Sequence, residues 1–219
     1  MLEAKVLKLI TLEQLRDKIL KNEDISGIDY SHITDMSQMF YYCTELKEVP
    51  LLDTSKVTNM TGMFRFCTSL KTIPYFDTSE VTLMYGMFYG CSGINEVPKF
   101  DTSKVTNMDY MFAGCSSLVE VPKFDTSKVL NMDNMFSGCK SLVEVPIFNT
   151  SKVYDMSDMF SMCLSLKEVP LFDTSSVKDM VFMFSECSSL EKVPENFPPY
   201  DWSETGSDTM KEKYPEYFI

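Results

Sequence analysis

The sequence predicts a repeat solenoid: 24-residue units stacked in one coil and capped at both ends. Three observations carry this. All seven cysteines, Cys43, Cys67, Cys91, Cys115, Cys139, Cys163 and Cys187, are spaced by 24. Pro50, Pro74, Pro98, Pro122, Pro146, Pro170 and Pro194 keep the same interval, as do seven Met-x-x-Met-Phe copies beginning at Met36, Met60, Met84, Met108, Met132, Met156 and Met180. One unit cannot bury its apolar side alone, whereas stacked units bury equivalent side chains as columns, Met on Met, Phe on Phe and Cys on Cys.

The organisation divides at residues 1–28, 29–197 and 198–219: an N-terminal helical cap, the solenoid of seven units, and a C-terminal aromatic cap or tail. In the first segment Thr11 is the expected N-cap of a helix over 12–21, with Leu12, Leu15 and Ile19 as its buried stripe. "ISGIDYSHI" then places Ile25, Ile28 and Asp29 in the register of the repeat, as a partly degenerate first layer. At the far end Phe197, Tyr200, Trp202, Tyr214, Tyr217 and Phe218 are placed to cover the last layer or to dock on a partner.

Within the unit running from Val105, the set Met108, Met111, Phe112 and Cys115 recurs at i, i+3, i+4 and i+7, which predicts one or two turns of helix. Asn107 stands at the N-cap position, as do Asp35, Asn59, Asn131, Asp155 and Asp179, and Leu83 breaks that column, so the third helix should start less firmly. Leu118-x-x-Val121 reads as a short strand that Pro122 ends, having no N–H to give. "FDTSK" reads as a corner in which Asp125 accepts bonds from following amides.

Composition narrows the chemistry. The net charge of −12 excludes a basic face for nucleic acid or anionic lipid, and it suits a basic protein partner or simple solubility. No run approaches the roughly 20 apolar residues that span a bilayer. The opening "MLEAKVLKLITLEQLRDKIL" has charges through its apolar stretch and no small-residue cleavage site, so the expectation is a soluble, cytoplasmic product.

An odd, evenly spaced cysteine ladder is not a disulfide framework and reads as free thiols packed as small hydrophobes in a reducing compartment. His32 is the only histidine and has no partner at metal spacing, so no zinc site is expected. The Met and Cys columns could hold Cu(I) only at positions that packing already claims. The column Asp29, Asp53, Asp77, Asp101, Asp125 and Asp173 supplies too few oxygens for calcium and reads as corner caps, with Lys56, Lys104, Lys128 and Lys152 competing for any cation. No cofactor loop or nucleophile elbow is present, and the expectation is a non-enzyme without a cofactor.

The period of 24 lies in the leucine-rich-repeat range, and "FDTSKVTNMDYMFAGCSSL" closely resembles the BspA-like leucine-rich repeats of bacterial surface proteins and mycoplasma lipoprotein-type proteins, over about residues 29–194. The resemblance implies a right-handed coil with short parallel strands on one side and short helices on the other, and a role in adhesion or protein binding. Two departures stand out. The proline in "LVEVPKF" implies a shorter, less regular sheet than the longer Leu-x-x-Leu-x-Leu strand of related repeats, and the opening residues do not read as the export signal common in the family.

In an array, specificity belongs to positions that vary between units. On the strand side these are Leu51, Tyr75, Lys99, Lys123, Ile147 and Leu171, beside an acidic stripe of Glu48, Glu96, Glu120, Glu144 and Glu168. On the helix side Tyr41, Tyr42, Arg65, Phe66, Tyr85, Tyr89 and Tyr110 gather in the first units, with the residue types of binding hot spots. The leading expectation is a protein-binding module that offers an extended acidic face. The alternatives are an assembly protein forming homo-oligomers and an acidic inhibitor that mimics nucleic acid.

Overall fold

The computed structural model describes residues 9–194 and 197. Helix α1 (Leu12–Leu20) starts where its cap predicts. The Thr11 hydroxyl accepts from the Gln14 amide at 3.2 Å, and the Gln14 side chain accepts from the Thr11 amide at 3.0 Å. Leu15 and Ile19 are buried and Leu12 packs half-buried against the same core, so α1 covers the first layer with the stripe the sequence assigns. Left-handed Asn22, with φ 54°, follows the C-cap Lys21 and turns the chain into the array. Among the described residues no helix is long and apolar enough to cross a membrane.

The expected repeat helices are absent among the described residues, and the backbone bonds show what replaces them. In the first unit every amide from Met36 to Cys43 is placed. Met36, Gln38, Phe40 and Tyr42 donate outward to carbonyls of Asn59, Thr61, Met63 and Arg65 in the next layer, at 2.8–2.9 Å. Met39, Tyr41 and Cys43 donate inward to Met36, Gln38 and Phe40, each three residues back, and the Ser37 amide goes to Asp35 Oδ1. In a helix all of these would point four residues back along one chain. Here half of them stitch layer to layer, each worth about 1 kcal/mol net.

This geometry needs a left-handed residue at two places in every unit: 38 and 42, 62 and 66, 86 and 90, 110 and 114, 134 and 138, 158 and 162, 182 and 186. Glycine fills only five of them, Gly62, Gly86, Gly90, Gly114 and Gly138. The other side chains accept a local cost of roughly 1–2 kcal/mol each, which the inter-layer bonds offset. The i, i+3, i+4, i+7 pattern was therefore genuine as a burial pattern, since Met108, Met111, Phe112 and Cys115 are all fully buried, but paired tight turns present it.

The expected strands are likewise replaced. Successive layers meet through single parallel bridges along Asp35, Asn59, Leu83, Asn107, Asn131, Asp155 and Asp179, and once more at Glu168 and Lys192. On the side of Leu118-x-x-Val121 at most one amide per layer pairs, as in Val143 to Val119 at 3.2 Å and Lys167 to Val143 at 3.1 Å. The proline that follows has no amide to extend the ladder. The Asx residues do accept the bond expected of them, from the amide two residues on, at 2.8–3.1 Å. Leu83 cannot, and the outward bond of the following Met84 is the gap in its column among the described residues.

The corners behave as read. Asp53, Asp77, Asp101, Asp125 and Asp173 each accept from the serine amide two residues on. Behind them the buried hydroxyls of Thr54, Thr102, Thr126 and Thr150 donate to next-layer carbonyls at 2.8–2.9 Å. The core between the two sides holds stacked rings. Phe40, Phe64, Phe88, Phe112, Phe136, Phe160 and Phe184 follow one another at 5.4–5.8 Å with planes within 10°. Phe76, Phe100, Phe124, Phe148 and Phe172 form a second file beside them. Phe197 closes the stack edge-on over Phe172 and Phe184. Tyr200, Trp202, Tyr214, Tyr217 and Phe218 lie outside the described residues.

Two substitutions separate packing from backbone conformation in urea denaturation. Phe136→Ala should cost about 3–5 kcal/mol, as a ring lost from a closed stack does. Gly114→Ala, at φ +72° with no heavy atom nearer than 3.4 Å to the added carbon, should cost about 1 kcal/mol from the left-handed conformation alone.

Candidate functional site

Side chains with chemical potential are mostly consumed by the scaffold. Six thiols, from Cys67 to Cys187, each donate to the carbonyl of the phenylalanine 27 residues earlier at 2.8–3.1 Å. Burial pushes Cys67 and Cys187 up to about 12 and likewise raises the thiols between them well above the ordinary thiol range. Cys43, half-buried at the end of the file, instead receives the Arg16 guanidinium at 3.6 Å, beside a cleft of about 840 Å³ between α1 and the first layer. Hydrogen bonds from the serine two residues on hold the corner carboxyls of Asp53, Asp77, Asp101, Asp125 and Asp173 below the usual carboxylate range. His32 is exposed. Among the described residues no group of three or more His, Cys, Asp or Glu is placed to hold a metal ion.

The variable positions remain, and they form two separate surfaces. On the proline side Leu51 is 73% exposed, Leu171 62%, Tyr75 61% and Ile147 52%, in one file with exposed Lys99 and Lys123. Glu48, Glu96, Glu120, Glu144 and Glu168 are all exposed in the parallel row. The ion pairs found among the described residues, Lys18–Glu23 and Lys104–Glu80, involve none of them. Pro98, Pro122 and their equivalents place the file, because the residue after each proline projects outward while the next, Phe100 or Phe124, turns into the core.

On the turn side the aromatic residues make a continuous ladder. Tyr42 meets Phe66 at 4.6 Å, Phe66 meets Tyr89 at 4.9 Å, and Tyr110 lies 5.8 Å from Tyr89 and 5.7 Å from Tyr85. Tyr41 packs edge-on against Tyr42. Gly90 makes room for this: a carbon added there would come within 2.3 Å of the Phe66 ring. The Arg65 guanidinium lies over Tyr89 at 4.6 Å, with Phe66 and Tyr41 on its other sides at 5.3 and 5.9 Å.

Beyond the ladder, in the fourth to sixth units, the same turns carry Asp109, Asp133 and Asp158, a group that reading the unit column by column missed. The signal was there, because aspartate follows Ser37, Thr61 and Tyr85 in one column and Gln38, Gly62, Gly86, Tyr110 and Asn134 in the next. Asp109 is 7% exposed. Its Oδ2 accepts from Asn107 at 2.8 Å and Asn131 at 2.9 Å, and its Oδ1 has no hydrogen-bond partner. Burial pushes Asp109 up to about 6, against the Asn107 bond and with help from the charges of Asp133 and Asp155. Burial also raises Asp133 and Asp158, each with carboxylate neighbours.

The raised value of Asp109 fixes a sign. The folded chain keeps this proton up to about pH 6, whereas the unfolded carboxyl gives it up near 3.8. The folded state therefore binds more protons in that window, and the contribution of this group to stability grows as pH falls from 7 to 4. Asp109→Asn should raise the neutral-pH Tm and flatten the Tm profile between pH 4 and pH 7, measured by circular dichroism against wild type.

Comparison with known proteins fits this architecture. The structure is similar to a leucine-rich repeat protein from Eubacterium ventriosum, at 26% identity and TM-score 0.50, over 67% of this chain and 38% of that one. It is also similar to the leucine-rich repeat protein of T. pallidum, at 20% identity and TM-score 0.53, over 90% of this chain and 80% of that one. This chain thus spans little more than a third of the Eubacterium protein. No curated protein matches the chain. Its leucine-rich-repeat fold and its neighbours agree with the BspA-like resemblance of the repeat motif. With matches over residues 11–121 and 115–212, the chain belongs to the family described as "Mycoplasma protein of unknown function, DUF285".

Proposed function

We propose that the chain is a non-catalytic protein-binding module whose principal contact surface is the proline-side file with its glutamate row. The observation that carries this is the placing of large exposed apolar side chains, Leu51, Tyr75, Ile147 and Leu171, beside a row of glutamates that enter none of the ion pairs found among the described residues. Large apolar side chains exposed in pairs at both ends of one file, with Lys99 and Lys123 between them, are what interaction surfaces carry. Like charges stacked one layer apart repel until an opposite charge covers them, so the surface suits a partner that brings apolar and basic side chains together. The thiols and threonine hydroxyls are engaged in holding layers together and the corner carboxylates in capping their own corners, which supports a scaffold role over a catalytic one. Seven unbridged thiols support residence in a reducing compartment.

The experiment is quantitative capture from the source cell, comparing wild type with a charge-reversed variant (Glu96→Lys, Glu120→Lys, Glu144→Lys) and an apolar-to-polar variant (Leu51→Ser, Ile147→Ser). Each should lower the yield of the same captured protein by about tenfold or more while leaving the melting curve in place. A captured set unchanged in both variants would remove this face from consideration. Light scattering of the purified chain tests the assembly alternative: a concentration-dependent dimer abolished by Ile147→Ser would make the partner a second copy.

A further inference from the structure

The turn side offers a second surface, independent of the first and different in chemistry. Two adjacent columns run up it through successive layers: Tyr85, Asp109 and Asp133 in one, and Tyr110, Asn134 and Asp158 in the other. Tyr110 touches Tyr85 and Tyr89, and its side chain is hydrogen-bonded to Asp133. The carboxylates therefore begin where the rings end. Among the described residues no cation is ion-paired with them, since the two ion pairs found there lie at α1 and at Glu80. Asp109, more than nine-tenths buried, keeps one carboxylate oxygen without a donor beside Asp133. Partly desolvated anions gathered without a counter-charge are costly, and a guanidinium is the group that relieves them while also stacking on tyrosine.

The molecule contains a precedent one step along the ladder. Arg65 already lies over the rings of Tyr89, Phe66 and Tyr41, which shows that this surface accommodates a planar cation against its rings. From Tyr85 and Tyr110 upward the rings carry no such cover, and carboxylates flank them.

We propose that Tyr85, Tyr110, Asp133 and Asp158, backed by Asp109, form a docking site for an arginine-bearing extended segment of a partner protein, lying along the coil axis. Each arginine stacks on a tyrosine and donates to the carboxylate of the next layer. Layers repeat at 5.6–5.7 Å here, judged from the Phe88–Phe112 and Phe112–Phe136 rings, so alternate side chains of an extended peptide, roughly 6.5–7 Å apart, reach successive layers with small adjustments. The guanidinium matters because lysine, a compact and strongly hydrated charge, neither forks onto a carboxylate nor stacks as well.

The test is fluorescence anisotropy with a labelled peptide alternating Arg with Gly or Ser, its lysine and glutamate counterparts serving as controls. The arginine peptide should bind more tightly than the lysine peptide, and the glutamate peptide not at all. Asp133→Asn with Asp158→Asn should weaken binding roughly tenfold, whereas Glu96→Gln with Glu120→Gln, the same loss of charge on the other face, should change it less than about twofold. Tyr110→Leu, which keeps bulk, should weaken the arginine peptide and leave the lysine peptide nearly unchanged. Asparagine is at home in the left-handed conformation of Asp158, at φ 52°, and it removes a carboxylate that burial disfavours, so these variants should fold with a Tm at or above that of wild type, and Asp158→Asn alone provides a milder check. Equal losses in the two double variants would mean unspecific attraction to an acidic protein and overturn the proposal, as would equal binding of the arginine and lysine peptides. A loss confined to the glutamate variant would overturn it and favour the proline-side surface instead.

Discussion

The structure depends on where alternate amides of the Met-x-x-Met-Phe segment go. Because Met36, Gln38, Phe40 and Tyr42 donate to the next layer and not to their own, every layer is half of its neighbour's secondary structure. A unit taken alone would leave four amides without partners, and buried unpaired amides are among the most costly defects a fold can carry. Repetition is thus a requirement of hydrogen bonding as well as of hydrophobic burial. The left-handed residues, including costly ones such as Tyr42, Phe66 and Phe182, are tolerated because they aim those amides along the coil axis.

Once that constraint is in place, the rest of the unit follows as inter-layer joinery. Threonine hydroxyls bridge at the corners, thiols bridge to phenylalanine carbonyls inside, and the rings between them stack at a spacing the backbone bonds impose. The cysteine column looked like a hydrophobic file in the sequence. It is also a file of donors, which explains why a small residue carrying an S–H suits the position. Residues that bind neighbouring layers are withdrawn from other work, so the side chains left free for contact are those that differ between units and point outward. Two such surfaces result: apolar and glutamate-rich on the proline side, aromatic and then aspartate-rich on the turn side.

Much of this was legible from residue order. The Asx residues at corners and turn starts, the α1 cap at Thr11 and the buried set Met108, Met111, Phe112 and Cys115 all sit as their chemistry dictates. The element type was not legible, because i, i+3, i+4, i+7 burial arises equally from a helix and from two tight turns with a left-handed residue in each. Non-glycine residues at most of the left-handed positions concealed the difference. Asp109 shows a second limit: an aspartate beside a tyrosine reads as surface until a neighbouring layer covers it and removes its water.

By itself the sequence determined the period, the columns, the corners and the identity of the core, since these follow from spacing and side-chain chemistry within one unit. Only the tertiary structure decided that amides bond between layers in place of along helices, that the tyrosines and Arg65 form one ladder, and that three aspartates meet beyond it. The physical reason is that those features belong to pairs of layers. Which atoms of one unit face which atoms of the next is set by the pitch of the coil and the direction of its amides, and neither is written in any single repeat.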